Sequence, residues 1–392
     1  MRKAAPMSDR RAVRVASLLP VLGHPRDSKR IAMLQAEGIQ VEVAAFEREY
    51  HVGRVPLCPI TSLGRISHGQ YVTRASKFLR ALPALRWVLR RCDVVYASGP
   101  DMALAAIVAG IGIGKPIVLE IGDIRRLQVS RGIAGRAMRA LDRFIASRCA
   151  LLVSTAPEFV RGYYRERLGS KIPSMILENK LDSSMGVESR EIRPPTGLSG
   201  SPIRIGWFGV LRCPWSWETL SRLAAAHPDR FEILIAGHAL DPRDLPSKAA
   251  AATNVRYLGE YRSPDDLHSI YGQVDLVWTV YPGPEVTDPS WRWALLASRS
   301  NRYYESCRYK RPTVTLAESG DGAEVLRLGH GLTLSSQSFA AIEEAMLQIS
   351  PDDFRRWGAV LDRLPLSTHS YSDEACMLAD LVQGLANGNP RG

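Results

Sequence analysis

Short apolar runs alternate with amphipathic stretches along this chain, in two separate series. Residues 13–19 (VRVASLL), 40–46 (QVEVAAF), 93–97 (DVVYA), 116–121 (PIVLEI) and 150–155 (ALLVST) read as buried strands, with the first helix over 28–37. Apolar runs of this length set between helices predict a parallel sheet covered on both faces. The pattern is lost over 183–202, where Ser, Gly and Pro dominate, and that stretch reads as a linker. Strands then recur at 203–208, 231–236, 255–258, 274–280 and 313–316. Helices are expected near 215–226, 263–272, 301–309, 337–349 and 371–386. The expected fold is α/β, two doubly wound domains facing a cleft. One spans 1–182 and the other 203–365, and a C-terminal helix within 366–392 crosses back to the first. Ligands of such sheets sit at the carboxyl ends of the strands, so the loops there are where chemistry is expected.

At 392 residues, with 45% hydrophobic and 23% charged positions, the chain can bury a sizeable core. Its six cysteines are scattered with no CxxC pair or Cys/His cluster. This excludes a disulfide scaffold and a zinc ribbon, and it fits a reducing cytoplasm. The longest apolar run, 102–113, is too short to span a bilayer, and the basic start MRKAAPMSDRR lacks the apolar core of a secretory signal.

Charge changes the picture. The net value is +11, but residues 1–195 hold 32 Lys and Arg against 17 Asp and Glu, while 196–392 hold 19 against 23. A basic half joined to a mildly acidic one predicts an anionic partner for the first.

Four loops carry candidate chemistry. The first, PVLGHPRDSKR, has one glycine and is no dinucleotide fingerprint. It sets Arg26, Lys29 and Arg30 near a helix start, either as an anion site or as a solvated basic turn. After 116–121 comes Gly122-Asp123-Ile124-Arg125-Arg126. Asp123 is there either a general base or the cap of the next helix, with Arg125 beside it. After 203–208, Gly209 lets a backbone approach a phosphate and Arg212 can bridge a diphosphate; the alternative is a tight turn with a surface arginine. The stretch SRSNRYYESCRYKRP is the most specific. Ser300 and Asn301 open a helix, Arg302 adds charge, and Glu305 shares a face with Asn301. Its carboxylate suits two ribose hydroxyls, or else pairs with Arg302 or Arg308 on the helix surface.

The order of these features, ending in SNRYYESCRYKRPTV, resembles bacterial GT-B glycosyltransferases of the family 4 and exopolysaccharide type. Their last motif runs S-x-K-x-x-E-Y-x-x-x-x-K-P-V, and Ser300, Arg302, Glu305, Lys310, Pro312 and Val314 fall in that frame. The resemblance implies a GT-B fold, with an acceptor-binding first domain and a nucleotide-sugar-binding second one. It further implies a hexosyltransferase using a UDP-linked donor, with no metal and no other cofactor. In that frame Glu305 binds the donor ribose. Gly209, Arg212, Ser300, Asn301 and Arg302 hold the diphosphate, and Asp123 is the catalytic acid or base. Glu285 and Asp288, in the loop YPGPEVTDPSWRW, are polar candidates for the donor sugar. The chain departs from the pattern at Ala297, where a first glutamate is usual, at Val210, and at Trp215-Ser216-Trp217. Two other functions stand beside this one: a GT-B nucleotide-sugar epimerase, which shares the donor site, and an inactive homologue serving as a binding or scaffold subunit, which the missing first glutamate at Ala297 suggests.

The basic half has an expected use. Residues 70–91 mix Arg80, Arg86, Arg90 and Arg91 with Trp87 and several leucines, in an amphipathic stretch broken at Pro83. Such a stretch either lies in a membrane interface or packs its apolar face on the sheet. The basic excess favours an anionic membrane face and a lipid-linked glycan acceptor, which implies a peripheral protein on the inner face of the cell membrane. No helix-turn-helix, RNP-like strand or zinc-finger spacing supports a nucleic-acid partner.

Overall fold

In the computed structural model of the chain, residues 12–47, 56–65, 71–181 and 202–388 are described, 71–75 by their backbone alone. The chain divides into two compact units, Met1–Glu178 with Asp373–Gly392, and Asn179–Ser372. The expected linker, 183–202, lies outside the described residues save for Pro202.

Unit 1 is a seven-stranded parallel sheet. Its strands are β1 (Arg14–Leu19), β2 (Gln40–Glu47), β3 (Ile60–Arg65), β4 (Val94–Ser98), β5 (Ile117–Ile121), β6 (Leu151–Ser154) and β7 (Ser174–Ile176). Their spatial order is β3-β2-β1-β4-β5-β6-β7. Every residue of β4, β5 and β6 is buried, as a sheet covered on both faces requires. The connecting helices are α1 (Pro25–Ala36), α2 (Tyr71–Arg91), α3 (Pro100–Ala109), α4 (Arg126–Val129) and α5 (Ile133–Arg148). Right-handed crossovers put α1 on one face and α2, α3 and α5 on the other. There α2 packs on α3 and α3 on α5. The chain leaves β1 in one direction and β4 in the other. The crevice between their carboxyl ends is the switch point where such sheets take ligands.

Unit 2 repeats the plan with six parallel strands. These are β8 (Ile203–Leu211), β9 (Phe231–Ala239), β10 (Val255–Tyr257), β11 (Leu276–Trp278), β12 (Thr313–Leu316) and β13 (Gly331–Leu334), in the order β10-β9-β8-β11-β12-β13. Its switch point lies between β8 and β11. The helices are α6 (Pro214–Ala226), α7 (Leu245–Ala251), α8 (Leu267–Tyr271), α9 (Pro289–Leu296), α10 (Asn301–Arg308), α11 (Gly320–Leu328), α12 (Phe339–Leu347) and α13 (Pro351–Arg363). The last helix, α14 (Glu374–Ala386), belongs to unit 1 and packs on α1.

The apolar pattern did not mark β3, β7 or β13. These strands are short or lie at the sheet edges, and β3 buries only Leu63, so they leave little apolar signal. The expected break at Pro83 is also corrected, because α2 runs unbroken through it. Pro83 sits on the exposed side of the helix, where the carbonyl it leaves unbonded can turn to water.

Candidate functional site

At the switch point of unit 2 the floor is bare backbone. Gly209 and Gly237 face each other across β8 and β9, both with positive φ (101° and 129°). A Cβ on Gly237 would lie 1.9 Å from the Gly209 oxygen, so only glycine lets the two strand ends approach so closely. The Tyr261 hydroxyl lies 3.9 Å from where a Cβ on Gly209 would be. Beside this floor α10 buries Glu305, 6% exposed, and its Oε2 accepts a 2.7 Å hydrogen bond from the Tyr271 hydroxyl. Burial and the Glu305 charge push the Tyr271 phenol well above its ordinary value, so it stays a donor. Glu305 is thus a buried, oriented acceptor and not a side chain on the helix surface.

Arg302, half-buried, lies within electrostatic reach of Tyr261, Tyr271 and Tyr281. Arg212 is exposed, its guanidinium carbon 5.3 Å from the centre of the Tyr281 ring, a cation–π contact. Glu285, also exposed, folds its carboxylate over Gly283. A Cβ there would meet Oε2 at 2.1 Å. The turn beneath it is pinned by Arg292, which donates to the Gly283 carbonyl (3.2 Å), and by Gln337, which donates to that of Pro282 (2.9 Å). The sequence singled out neither Tyr261 nor Tyr271. Tyrosines at core-like positions carry no pattern that separates a site wall from packing.

Several expectations need correction here. Asp288 caps α9, its Oδ1 accepting from the amides of Ser290 (2.9 Å) and Trp291 (3.1 Å), so it is spent as a cap. Ser300 caps α10 in the same way. Its Oγ accepts from the Tyr303 amide and donates to Asp321 (2.6 Å), and its own amide donates to Asp321 as well. Two amides expected to hold a diphosphate therefore already have partners. The exposed Asn301 accepts through its side chain from Asn179 (2.6 Å). The tryptophans Trp215 and Trp217 pack into the core of unit 2, and Ser216 accepts from the Trp278 indole.

At the switch point of unit 1 charges are packed tightly. Arg30, 1% exposed, donates from Nε to Glu120 Oε1 (3.0 Å) and from Nη2 to the Leu177 carbonyl (2.6 Å). Glu120 also accepts from the Tyr96 hydroxyl (2.7 Å). Burial penalises the Glu120 charge, but Arg30 and Arg26 outweigh it and hold the carboxyl below its usual range. Arg26 sets its Nε 3.6 Å from Glu120 and 3.7 Å from Asp27. Asp27, 3% exposed, accepts from Ser98 Oγ at 2.7 Å. Burial pushes its carboxyl up to about 6, against the pull of Arg26.

The reading of Arg26, Lys29 and Arg30 as one anion site is therefore corrected. Arg30 and Arg26 are matched by internal carboxylates, and Lys29 stands half-buried on α1. Asp123 is not a cap, since Arg125 occupies that position before α4. It is exposed at the end of β5, and its charge acts on Arg26. Arg125 itself binds Asp101 through both terminal nitrogens (3.1 and 3.0 Å). The residues the sequence missed here are His24, Asp27, Ser98, Tyr96 and Glu120.

Of the expected membrane residues, Arg80, Trp87, Arg90 and Arg91 lie exposed on one side of α2 together with Leu79, and Arg91 stacks 4.2 Å from the Trp87 ring centre. Arg86 does not belong with them. It donates to the carbonyls of Ala109 (2.9 Å) and Ile111 (2.8 Å) and so closes the end of α3. No helix among the described residues is long and apolar enough to cross a membrane.

No family model matches the chain. The sucrose-phosphate synthase of Thermosynechococcus elongatus shares its fold with a TM-score of 0.69 at 14% identity, over 96% of this chain and 100% of that one. HepE of Anabaena, solved with UDP-glucose, does so at 0.64 and 13% identity, over 95% and 99%. Over 368 residues the chain is 31% identical to the succinoglycan biosynthesis protein ExoL of Rhizobium meliloti (strain 1021), covering 90% of this chain and 85% of ExoL. With its two parallel sheets and GT-B fold, the chain belongs to the family of this exopolysaccharide biosynthesis protein.

Proposed function

We propose that this protein is a glycosyltransferase of exopolysaccharide synthesis that moves a hexose from a UDP-linked donor to a lipid-linked glycan. The observation that carries the reading is the buried Glu305–Tyr271 pair beside the glycine floor of unit 2, with Arg302 and Arg212 at hand. A buried carboxylate held by a phenol accepts hydroxyl donors such as those of a ribose. Guanidinium groups beside a floor of bare backbone suit a diphosphate, whose charge grows as it leaves. Arg212 and Arg302 supply that stabilisation, so transfer proceeds in EDTA. The likeness to ExoL supports the polysaccharide setting, and HepE with UDP-glucose supports the donor.

Unit 1 serves the acceptor. The face of α2 with Leu79, Arg80, Trp87, Arg90 and Arg91 rests on the anionic inner face of the cell membrane. Apolar and aromatic groups enter the headgroups there, and each basic residue adds about 1 kcal/mol.

Thermal denaturation with UDP, GDP and ADP tests the donor site. A nucleotide at 100 times its dissociation constant stabilises the fold by about 2.7 kcal/mol. UDP raises the melting temperature of the wild type, and Glu305→Gln removes most of that rise. A wild type that responds to no nucleotide overturns the reading.

A further inference from the structure

Beside the glycine floor of unit 2 stands a phenol that the protein itself does not use. The segment after β10 is tied to that floor. The Tyr257 hydroxyl donates to the Gly237 carbonyl (2.7 Å), and the Gly237 amide donates to the Gly259 carbonyl (2.8 Å). Beyond Tyr261 the next turn closes on itself. The Arg262 amide donates to the Asp266 carboxylate, and the Asp266 amide donates back to the Arg262 carbonyl, both at 2.8 Å. Tyr261 is thus fixed from both sides. Its ring packs on the core cluster that holds Phe208 and Tyr271, and its hydroxyl is carried to the Gly209 end of the floor.

Polar groups inside a packed site are as a rule hydrogen-bonded. Tyr257 spends its hydroxyl on Gly237, and Tyr271 spends its own on Glu305. Among the described residues the Tyr261 hydroxyl has no hydrogen-bond partner. Burial pushes this phenol up, the Glu305 charge adds to the rise, and the pull of Arg302 does not reverse it. Tyr261 therefore keeps its proton and offers an uncharged donor. It also lies within electrostatic reach of both Glu305 and Arg302. A nucleotide with its ribose on Glu305 and its diphosphate over the floor passes Tyr261 where the ribose joins the first phosphate.

We propose that the Tyr261 hydroxyl donates a hydrogen bond to the α-phosphate of the nucleotide, so that the site prefers a nucleotide over its nucleoside. This rests on the donor-site reading above. The bond runs from a neutral phenol to an ionised oxygen, which makes it stronger than one between two neutral groups. The group it would satisfy is one the fold leaves without a partner.

The test is the Kd of UDP by titration calorimetry, and of uridine by its displacement of UDP, for the wild type, Tyr261→Phe and Glu305→Gln. Tyr261→Phe keeps the ring on the core and removes an oxygen that bonds to nothing in the protein. The melting temperature without nucleotide therefore stays at the wild-type value. The variant binds UDP more weakly by roughly 10- to 100-fold, the worth of a hydrogen bond to a charged oxygen, and binds uridine as the wild type does. Glu305→Gln weakens both ligands by a similar factor, because both carry the ribose. UDP bound by Tyr261→Phe as tightly as by the wild type overturns this proposal alone. So does an equal loss of UDP and uridine, which sets the hydroxyl at the ribose or the base. A melting temperature lowered by Tyr261→Phe in the absence of nucleotide overturns it too, since the hydroxyl then serves the fold. A wild type that binds no UDP overturns the donor-site reading and this proposal with it.

Discussion

The guanidinium of Arg26 lies against Gly122 so closely that a Cβ there would meet Nη1 at 1.3 Å. The glycine after β5 is thus the slot that lets Arg26 reach Glu120 and Asp27. Gly122→Ala expels the arginine and leaves the two carboxylates facing each other. We expect a loss of about 1–3 kcal/mol in urea denaturation. In an Arg26→Ala background the same alanine costs little more, because the group it displaces is already gone. A fully additive double mutant would show that Gly122 acts by some other route.

Ser300 and Asp321 form a second such pair. Burial pushes the Asp321 carboxyl up to about 6, while the Ser300 hydroxyl and amide favour its charged form. Ser300→Ala removes the hydroxyl bond and the cap of α10 together, which costs about 1–3 kcal/mol. The cost is larger at pH 7.5, where Asp321 is charged and depends on the bond, than at pH 5, where it is protonated. Equal losses at both values would contradict this account.

His330 is fully buried, and burial lowers its pKa to about 4. The unfolded chain binds a proton at this residue near 6.5 and the folded one only near 4. The unfolded state therefore holds more protons between those values, and stability is lost as pH falls through that window. A difference of this size corresponds to about 3 kcal/mol. Urea midpoints of His330→Gln, compared with wild type at pH 7.5 and 4.5, should show a smaller acid-side loss in the variant. Parallel falls would place the acid sensitivity elsewhere.

The exposed face of α2 predicts a division among its arginines. Replacing Arg80, Arg90 and Arg91 by Gln, or Trp87 by Ser, reduces cosedimentation with phosphatidylglycerol vesicles and hardly moves the melting temperature. Arg86→Gln does the reverse, because Arg86 closes the end of α3. Vesicle binding that survives the triple replacement would remove α2 as the membrane face.

The chain's own pattern determined the two series of strands and helices. A parallel strand covered on both faces must be apolar at nearly every position, and β1, β4 and β8 read so without any knowledge of their neighbours. The segment from Ser300 to Val314 was legible for a related reason. A cap, a helix face and a following strand lie there within one short stretch. Which arginine binds a ligand and which is spent inside the protein was not legible. Arg30 meets Glu120, 90 positions away, and Asp27 meets Ser98, 71 positions away, only because the switch point brings the ends of β1, β4 and β5 together. In the sequence Arg26, Lys29 and Arg30 are three cations of one turn. The packed sheet buries Arg30 against a carboxylate, slots Arg26 against a glycine and leaves His24 over Asp27. Burial and charge pairing arise between segments distant along the chain, so tertiary structure alone decided which of these groups remain available for chemistry.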